Sequence, residues 1–275
     1  MAFSKPQPLS DALAGGMAID ELALMVARDI RPDAPVDRAR AFFDSAARPL
    51  HASDVTLLKP STQAALLSEQ VFLEHQFRGN ETDYYDPRNS DLTEVVERRV
   101  GIPITLAIVM IAVGRRAGMH LRGVGFPGHF LLRVGAGSDA VMIDPFSDGR
   151  EVDPSRLDQL SARHLGGPRR VLPEHLASVD ERSMLVRVLI NLKHAHERQN
   201  AHAIALVACD RLVDLTGAVE FRRDRGMHAL AMGAGLAAAS DLEAYLAETP
   251  SPPDAVEIYR AIARARRGSE SSLLS

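Results

Sequence analysis

The sequence predicts an α+β domain built on a small antiparallel sheet, followed by an all-α tail. Three observations predict it. Two short runs of strand-forming residues, His129–Val134 and Ala140–Asp144, flank Gly135-Ala136-Gly137-Ser138, which is a hairpin signal. Ahead of them, Ile104–Val113 is apolar on every side, as a central buried helix would be. From about Ser183 onward the chain reads helical again.

Taken in order, residues 1–18 are rich in Pro, Ser, Gly and Ala and predict a loose leader. Helices are expected near Asp20–Arg31, Val36–Arg48 and Pro60–Phe77. Tyr84-Tyr85-Asp86-Pro87-Arg88-Asn89-Ser90 is a turn-rich connection, and Asn89 or Ser90 could cap a helix over Asp91–Arg99. Pro103 suits the first position of the next helix, because its missing N–H would be unpaired there anyway. Arg115 and Arg116 suit the negative end of that helix, and Gly118 suits its cap. The apolar run is too short for a bilayer, which needs about 20 residues. Strands follow at Met119–Phe126, His129–Val134 and Ala140–Asp144. The expected divisions are 1–18, 19–180 for the α+β domain, 181–268 for the helical tail, and a disordered end at 269–275.

The hairpin brings a histidine and a carboxylate together. With the turn centred on Gly135–Ser138, the pairing runs outward to place His129 directly opposite Asp144. Cβ atoms so placed are roughly 4.5–5.5 Å apart. Asp144 could then orient the imidazole through one ring nitrogen while the other faces a reacting group. The plainer alternative is two strand-end polar residues. A helix N-terminus is where a thiol's pKa is lowered, and Pro103 occupies that position without a nucleophile. Thr105 is the nearest hydroxyl, further into the helix, where bonding to the backbone is the usual fate.

Composition excludes several classes. The 275 residues carry a net charge of −4, one Cys and no Trp. No basic domain suggests nucleic acid, and low aromatic content argues against stacking sugars or bases. Arg98-Arg99, Arg169-Arg170 and Arg222-Arg223 read as solvated faces or local ion pairs. The one cysteine, Cys209, falls in an amphipathic helical pattern and reads as a small core residue. With no disulfide possible within the chain, no secretory signal and no transmembrane run, a reducing cytoplasm is expected. Gly123-Val124-Gly125-Phe126-Pro127-Gly128 spells a dinucleotide fingerprint, but Pro127 interrupts it and a strand follows, so no such cofactor is expected. His194 and His196 point to different helix faces, and no metal-ligand cluster is present. No cofactor and no metal are therefore predicted.

The tail carries an internal repeat. Ala205, Cys209, Leu212 and Gly217 recur as Ala238, Leu242, Tyr245 and Pro250, an offset of 33. Small, large apolar, packing and breaker positions at about this period form the tetratricopeptide pattern. The units would be Met184–Thr216 and Val219–Pro250, with Pro253–Arg267 as a capping helix. A plain helical hairpin pair is the alternative.

The order Asp86-Pro87-Arg88-Asn89-Ser90, Glu97-Arg98-Arg99, Gly101-Ile102-Pro103-Ile104, Gly123–Phe130, Asp144-Pro145-Phe146 and then repeat-like helices resembles the bacterial SirB family. Asn191-Leu192-Lys193 and Arg223-Asp224-Arg225-Gly226 fit it too, and the likeness runs from about residue 40. The resemblance implies a papain/transglutaminase-like domain, a superfamily with a related domain in an F-box protein. Such enzymes use a Cys at a helix start, a His on the following strand and an Asp on the next. His129 and Asp144 match, and Pro103 stands at the Cys position. The implied reading is a pseudoenzyme: a non-catalytic interaction or regulatory protein. It would bind a protein or peptide through its C-terminal helices and the vestigial cleft, with no nucleic-acid or membrane partner and no specified oligomeric state. The alternative is a hydrolase or acyl transferase in which His129 and Asp144 activate water or Thr105.

Overall fold

A computed structural model describes residues 8–164 and 171–273, with side chains for all but 164 and 268–273. Helices α1 Leu9–Ala14, α2 Ile19–Ile30, α3 Val36–Ala52 and α4 Pro60–Ser68 come first. Strand β1 (Arg78–Gly79), α5 (Leu92–Arg98), β2 (Val100–Gly101) and α6 (Pro103–Arg116) follow. Then come β3 Leu121–Val124, β4 Leu131–Val134, β5 Val141–Asp144, β6 Arg150–Glu151, α7 Pro154–His164 and β7 Ser178–Val179. The chain continues through α8 Glu181–Arg198, α9 His202–Thr216, α10 Val219–Ala231, α11 Gly235–Glu248 and α12 Ala255–Leu273. This is a mixed α+β region with a five-stranded antiparallel sheet, followed by a helical repeat region.

Two compact units result, and the division falls inside α8. One runs from Gly16 to Val188, and the other joins the described residues before Gly16 to those from Leu189 onward.

In the α+β unit, α6 is the central helix. Every residue from Pro103 to Gly114 is buried, and the helix packs on α2, α3, α4 and α5 as well as on β3 and β4. Each large aliphatic side chain so buried contributes roughly 1.5–3 kcal/mol. Arg116 anchors the far end, donating to Asp20 at 2.7 Å and to Asp44 at 2.8 Å.

The sheet order is β6-β5-β4-β3-β7. Val134 pairs with Val141 and Leu132 with Ile143, which corrects the expected register. Residues 135–140 form the connection, with a 3-10 turn at Gly137–Asp139, so the loop is longer than a turn centred on 135–138. Asp144 therefore stands opposite the position of Leu131, two residues from His129. The two-residue strands β1, β2, β6 and β7 were not anticipated, being too short to carry a period.

Helix ends differ from expectation in ways that have local causes. Asp91, rather than Asn89 or Ser90, caps α5 by accepting from the N–H groups of Thr93 (2.9 Å) and Glu94 (3.3 Å). Helix α3 runs through Pro49, which lies in its last turn. The helix expected over Pro60–Phe77 ends at Ser68 and widens into a π turn over Glu69–Glu74.

In the helical unit, α9 and α11 are related by the offset of 33 read from the sequence. Ala205, Cys209 and Leu212 are fully buried, and so are Ala238 and Leu242, with Tyr245 6 % exposed. Gly226 permits close packing of α10 on α11, since a Cβ there would lie 2.9 Å from Leu242. The supposed leader is not loose from Leu9 onward. Asp214 on α9 accepts from the N–H of Leu9 at 2.7 Å and from the Ser10 hydroxyl at 2.5 Å, which satisfies donors at the start of α1. Likewise α12 continues to Leu273, past the expected end at 268. Residues 1–7 and 274–275 of the expected loose ends, and the Arg169-Arg170 pair, lie outside the described residues.

Candidate functional site

Asp144 ends β5 and begins a 3-10 turn over Pro145–Ser147. Aspartate before proline suits this place, because its short carboxylate can accept from the backbone two residues on. Here Oδ1 accepts from the Phe146 N–H at 3.0 Å, while Oδ2 accepts from the Ser147 hydroxyl at 3.0 Å and from Arg156 Nη2 at 3.1 Å. Arg156 also donates to the Ser147 hydroxyl at 2.6 Å.

His129 reaches the same carboxylate from the loop before β4. Its N–H donates to the Phe126 carbonyl at 3.0 Å, closing a tight turn through Pro127 and Gly128. Its Nε2 lies 2.8 Å from Asp144 Oδ1. His129 is 5 % exposed and Asp144 fully buried. Burial opposes charge on Asp144, but the bonds and charge from His129, with those from Arg156 and Ser147, outweigh it and hold the carboxyl below its ordinary range.

An aromatic edge flanks the pair. The Phe146 ring meets the imidazole edge-on at 6.2 Å and Tyr84 at 6.5 Å. Gly79 makes room for it: a Cβ there would lie 2.6 Å from the ring. A polar cavity of about 770 Å3 opens beside Phe146 and Ser147, with Arg78, Arg98, Arg150 and Asp86 among its lining.

Helix α6, which Pro103 heads, packs on the Pro145–Ser147 turn that follows Asp144. Pro103 is buried at the first position of α6. The Thr105 hydroxyl accepts from the Ile102 N–H at 3.1 Å and donates to the Asn89 carbonyl at 2.8 Å, so its bonds go to backbone. Cys209 belongs to the helical unit, where burial pushes its thiol up to about 12. No group of His, Cys, Asp or Glu among the described residues could hold a metal ion. No described helix is long and apolar enough to cross a membrane.

The arginine pairs are more varied than expected. Arg98 pairs with Asp86 at 3.3 Å. Arg99 stacks over Phe42 and Phe77, with its guanidinium carbon 3.9 and 4.9 Å from the ring centroids, instead of facing solvent or a carboxylate. Arg222 pairs with Glu248 at 3.4 Å, and Arg223 pairs with Asp224 and Asp254. Arg156, Ser147 and Tyr84 escaped the sequence reading; only Ser147, three residues after an Asp-Pro step, carried a local signal.

Fold and pair together define a transglutaminase-like domain joined to tetratricopeptide helices, and the comparisons agree. Residues 17–190 match the transglutaminase-like superfamily and residues 192–263 the tetratricopeptide repeat. The chain belongs to the transglutaminase-like superfamily, among bacterial proteins named UPF0162. The UPF0162 protein of Xylella fastidiosa strain Temecula1 is 36 % identical over 233 residues, 83 % of each chain. That of Vibrio cholerae is 28 % identical over 252 residues, covering 90 % of this chain and 92 % of the relative. Human F-box only protein 21 is 34 % identical over 98 residues, which are 33 % of this chain and 16 % of its own length. No solved structure matches the chain significantly.

Proposed function

We propose that this chain is a non-catalytic interaction protein, a pseudoenzyme of the SirB type that acts in the cytoplasm. The observation that carries the reading is Pro103 at the head of α6, where the resemblance to the family's enzymes calls for cysteine. Covalent catalysis needs an activated nucleophile. The one thiol of the chain is buried in the other unit, and the Thr105 hydroxyl is bonded to backbone. His129 and Asp144 then serve chiefly to order the loop before β4 and the turn after β5. Tetratricopeptide repeats suggest a protein or peptide partner, and the cleft beside His129 offers a second contact.

A second reading is a hydrolase or acyl transferase acting with water. It is favoured by the 2.8 Å approach of His129 to Asp144, the geometry a general base needs. One experiment separates the two. The full chain and His129→Ala are assayed on ester, peptide and isopeptide substrates and used in parallel for affinity capture with mass spectrometry. The interaction reading expects a captured partner and no turnover above buffer; turnover that disappears in His129→Ala would overturn it.

A further inference from the structure

Arg187 lies on α8 within the α+β unit and is half-buried. Several other half-buried arginines of that unit reach a carboxylate: Arg31 bonds Asp91 and Glu94, Arg115 bonds Glu181, Arg116 bonds Asp20 and Asp44, and Arg156 bonds Asp144. Arg187 has no ion pair among the described residues. Among these its one hydrogen bond runs from Nη1 to the Phe126 carbonyl at 3.4 Å, and its guanidinium carbon lies 5.6 Å from the Phe130 ring centroid. A guanidinium offers five donors in a fixed fork, so most of its capacity is unspent. Burial pulls its pKa down, and the nearby ionisable group that counters this is Tyr84.

The surroundings connect this cation to the pair. The Phe126 carbonyl accepts from both the His129 N–H and Arg187. The Tyr84 phenol acts electrostatically on Arg187, its ring meets Phe146 edge-on, and Phe146 meets His129 edge-on. Tyr84 is 37 % exposed and Tyr85 52 %, with ring centroids 5.4 Å apart. A cation lacking its counterion thus sits beside open aromatic surface and a hydrogen-bonded histidine. Among the described residues Arg99 and Arg133 also lack a carboxylate, but two phenylalanine rings cover Arg99 and Arg133 donates to the Leu176 carbonyl at 2.9 Å; Arg187 has a longer carbonyl bond and a more distant ring.

We propose that Arg187 and Tyr84 form a receptor for a carboxylate of a peptide bound beside His129. The guanidinium fork matches the two carboxylate oxygens. The Tyr84 hydroxyl supplies a further donor, and Tyr85 and Phe146 offer aromatic surface to the apolar part of the bound residue. An unpaired half-buried cation also favours an anionic over a neutral ligand, because pairing offsets its desolvation. The inference rests on the cleft being an interaction site, and it adds the chemistry of the ligand.

The test is an NMR titration of the 15N-labelled full chain with three probes: N-acetyl-Gly-Phe, its amide, and N-acetyl-Glu-Phe-amide. Saturable shifts are expected at Arg187 Nε–H and at the Phe126 and His129 amides. The neutral amide should bind at least tenfold more weakly than the tighter of the two acids, and the order of the acids tells whether the α-carboxylate or a side-chain carboxylate is preferred. Arg187→Gln should reduce both acids to the level of the amide, Arg187→Lys should fall between, and Arg48→Gln, exposed on α3, should match the wild type. Melting temperature separates a receptor from a structural residue: Arg187→Gln should leave it unchanged or raised, and a large drop would assign Arg187 to structure. Equal binding of acid and amide, undiminished binding in Arg187→Gln, or no saturable shift with any probe would overturn the proposal. Partner capture without turnover would then still support the interaction reading. Conversely, turnover by the wild type alongside carboxylate binding would remove that reading and leave the receptor standing.

Discussion

His129 and Asp144 bond at 2.8 Å although they are not directly cross-strand partners. The pairing of Leu132 with Ile143 puts Asp144 two positions away from His129 along the ladder. Because side chains alternate with a period of two, an offset of two keeps the pair on one face, whereas an offset of one would separate them. Diagonal neighbours remain within reach of a long or aromatic side chain. His129 spans the gap from the loop that precedes β4, held by its own N–H bond to Phe126.

Replacing His129 with Ala should therefore cost on the order of 1–3 kcal/mol, the range for losing one hydrogen bond to a buried charged acceptor, while Phe146, Ser147 and Arg156 keep their bonds to Asp144. Denaturant unfolding at neutral pH measures it; an unchanged midpoint would mean that the bond adds nothing to folding. The pH dependence has a definite sign. Asp144 is held below its ordinary 3.8, so its contribution is fully present above the unfolded carboxylate's pKa and fades as pH falls through the lowered folded value. In Asp144→Asn the stability profile should be flatter over that acid range than in the wild type.

Pro103→Cys tests whether the site keeps catalytic geometry. At the first helical position the change frees one N–H that a helix leaves unpaired anyway, so the fold should persist. In a Cys209→Ser background the new thiol should titrate below about 8.5, toward the 3.5–7.5 range of thiols beside helix N-termini or imidazoles. Alkylation rate against pH reads it, and the midpoint should move back when His129 is also replaced. An ordinary or unreactive thiol would reduce the likeness to one of fold.

Thr105 should prove structural. Its hydroxyl bridges the Ile102 N–H and the Asn89 carbonyl, tying the head of α6 to the loop before α5. Thr105→Val should cost about 1–3 kcal/mol by leaving both buried groups without a partner, while Thr105→Ser should recover most of it. Equal stability of Thr105→Val and wild type in urea titrations would refute this role.

Cys209 should be inert in the folded chain. It is fully buried and its thiol is pushed up to about 12 by burial, so little thiolate exists at pH 8. Iodoacetamide should label it only as fast as the helical unit opens. Rapid labelling under native conditions would place the thiol at the surface instead.

The features legible in the sequence are those whose cause is local. The apolar run of α6, the proline at its head and the arginines at its end are all contained in fourteen consecutive residues. The hairpin, the helical tail and the spacing of Ala205, Cys209 and Leu212 against Ala238, Leu242 and Tyr245 are likewise periodic signals, and burial at these positions agrees with them. His129 and Asp144 were legible as a pair because parity along two strands survives an error of two in register. Tertiary structure decided what periodicity cannot carry. The two-residue strands exist only through their partners, as Arg78 and Gly79 do through Val100 and Gly101. Leu9 and Ser10 are held by Asp214, two hundred residues away in sequence. Arg156 on Asp144, Arg99 over Phe42, and Arg187 at the Phe126 carbonyl each depend on which elements pack together. An arginine's local sequence sets its reach and its charge, but only packing decides whether a carboxylate, an aromatic ring or a backbone carbonyl meets it.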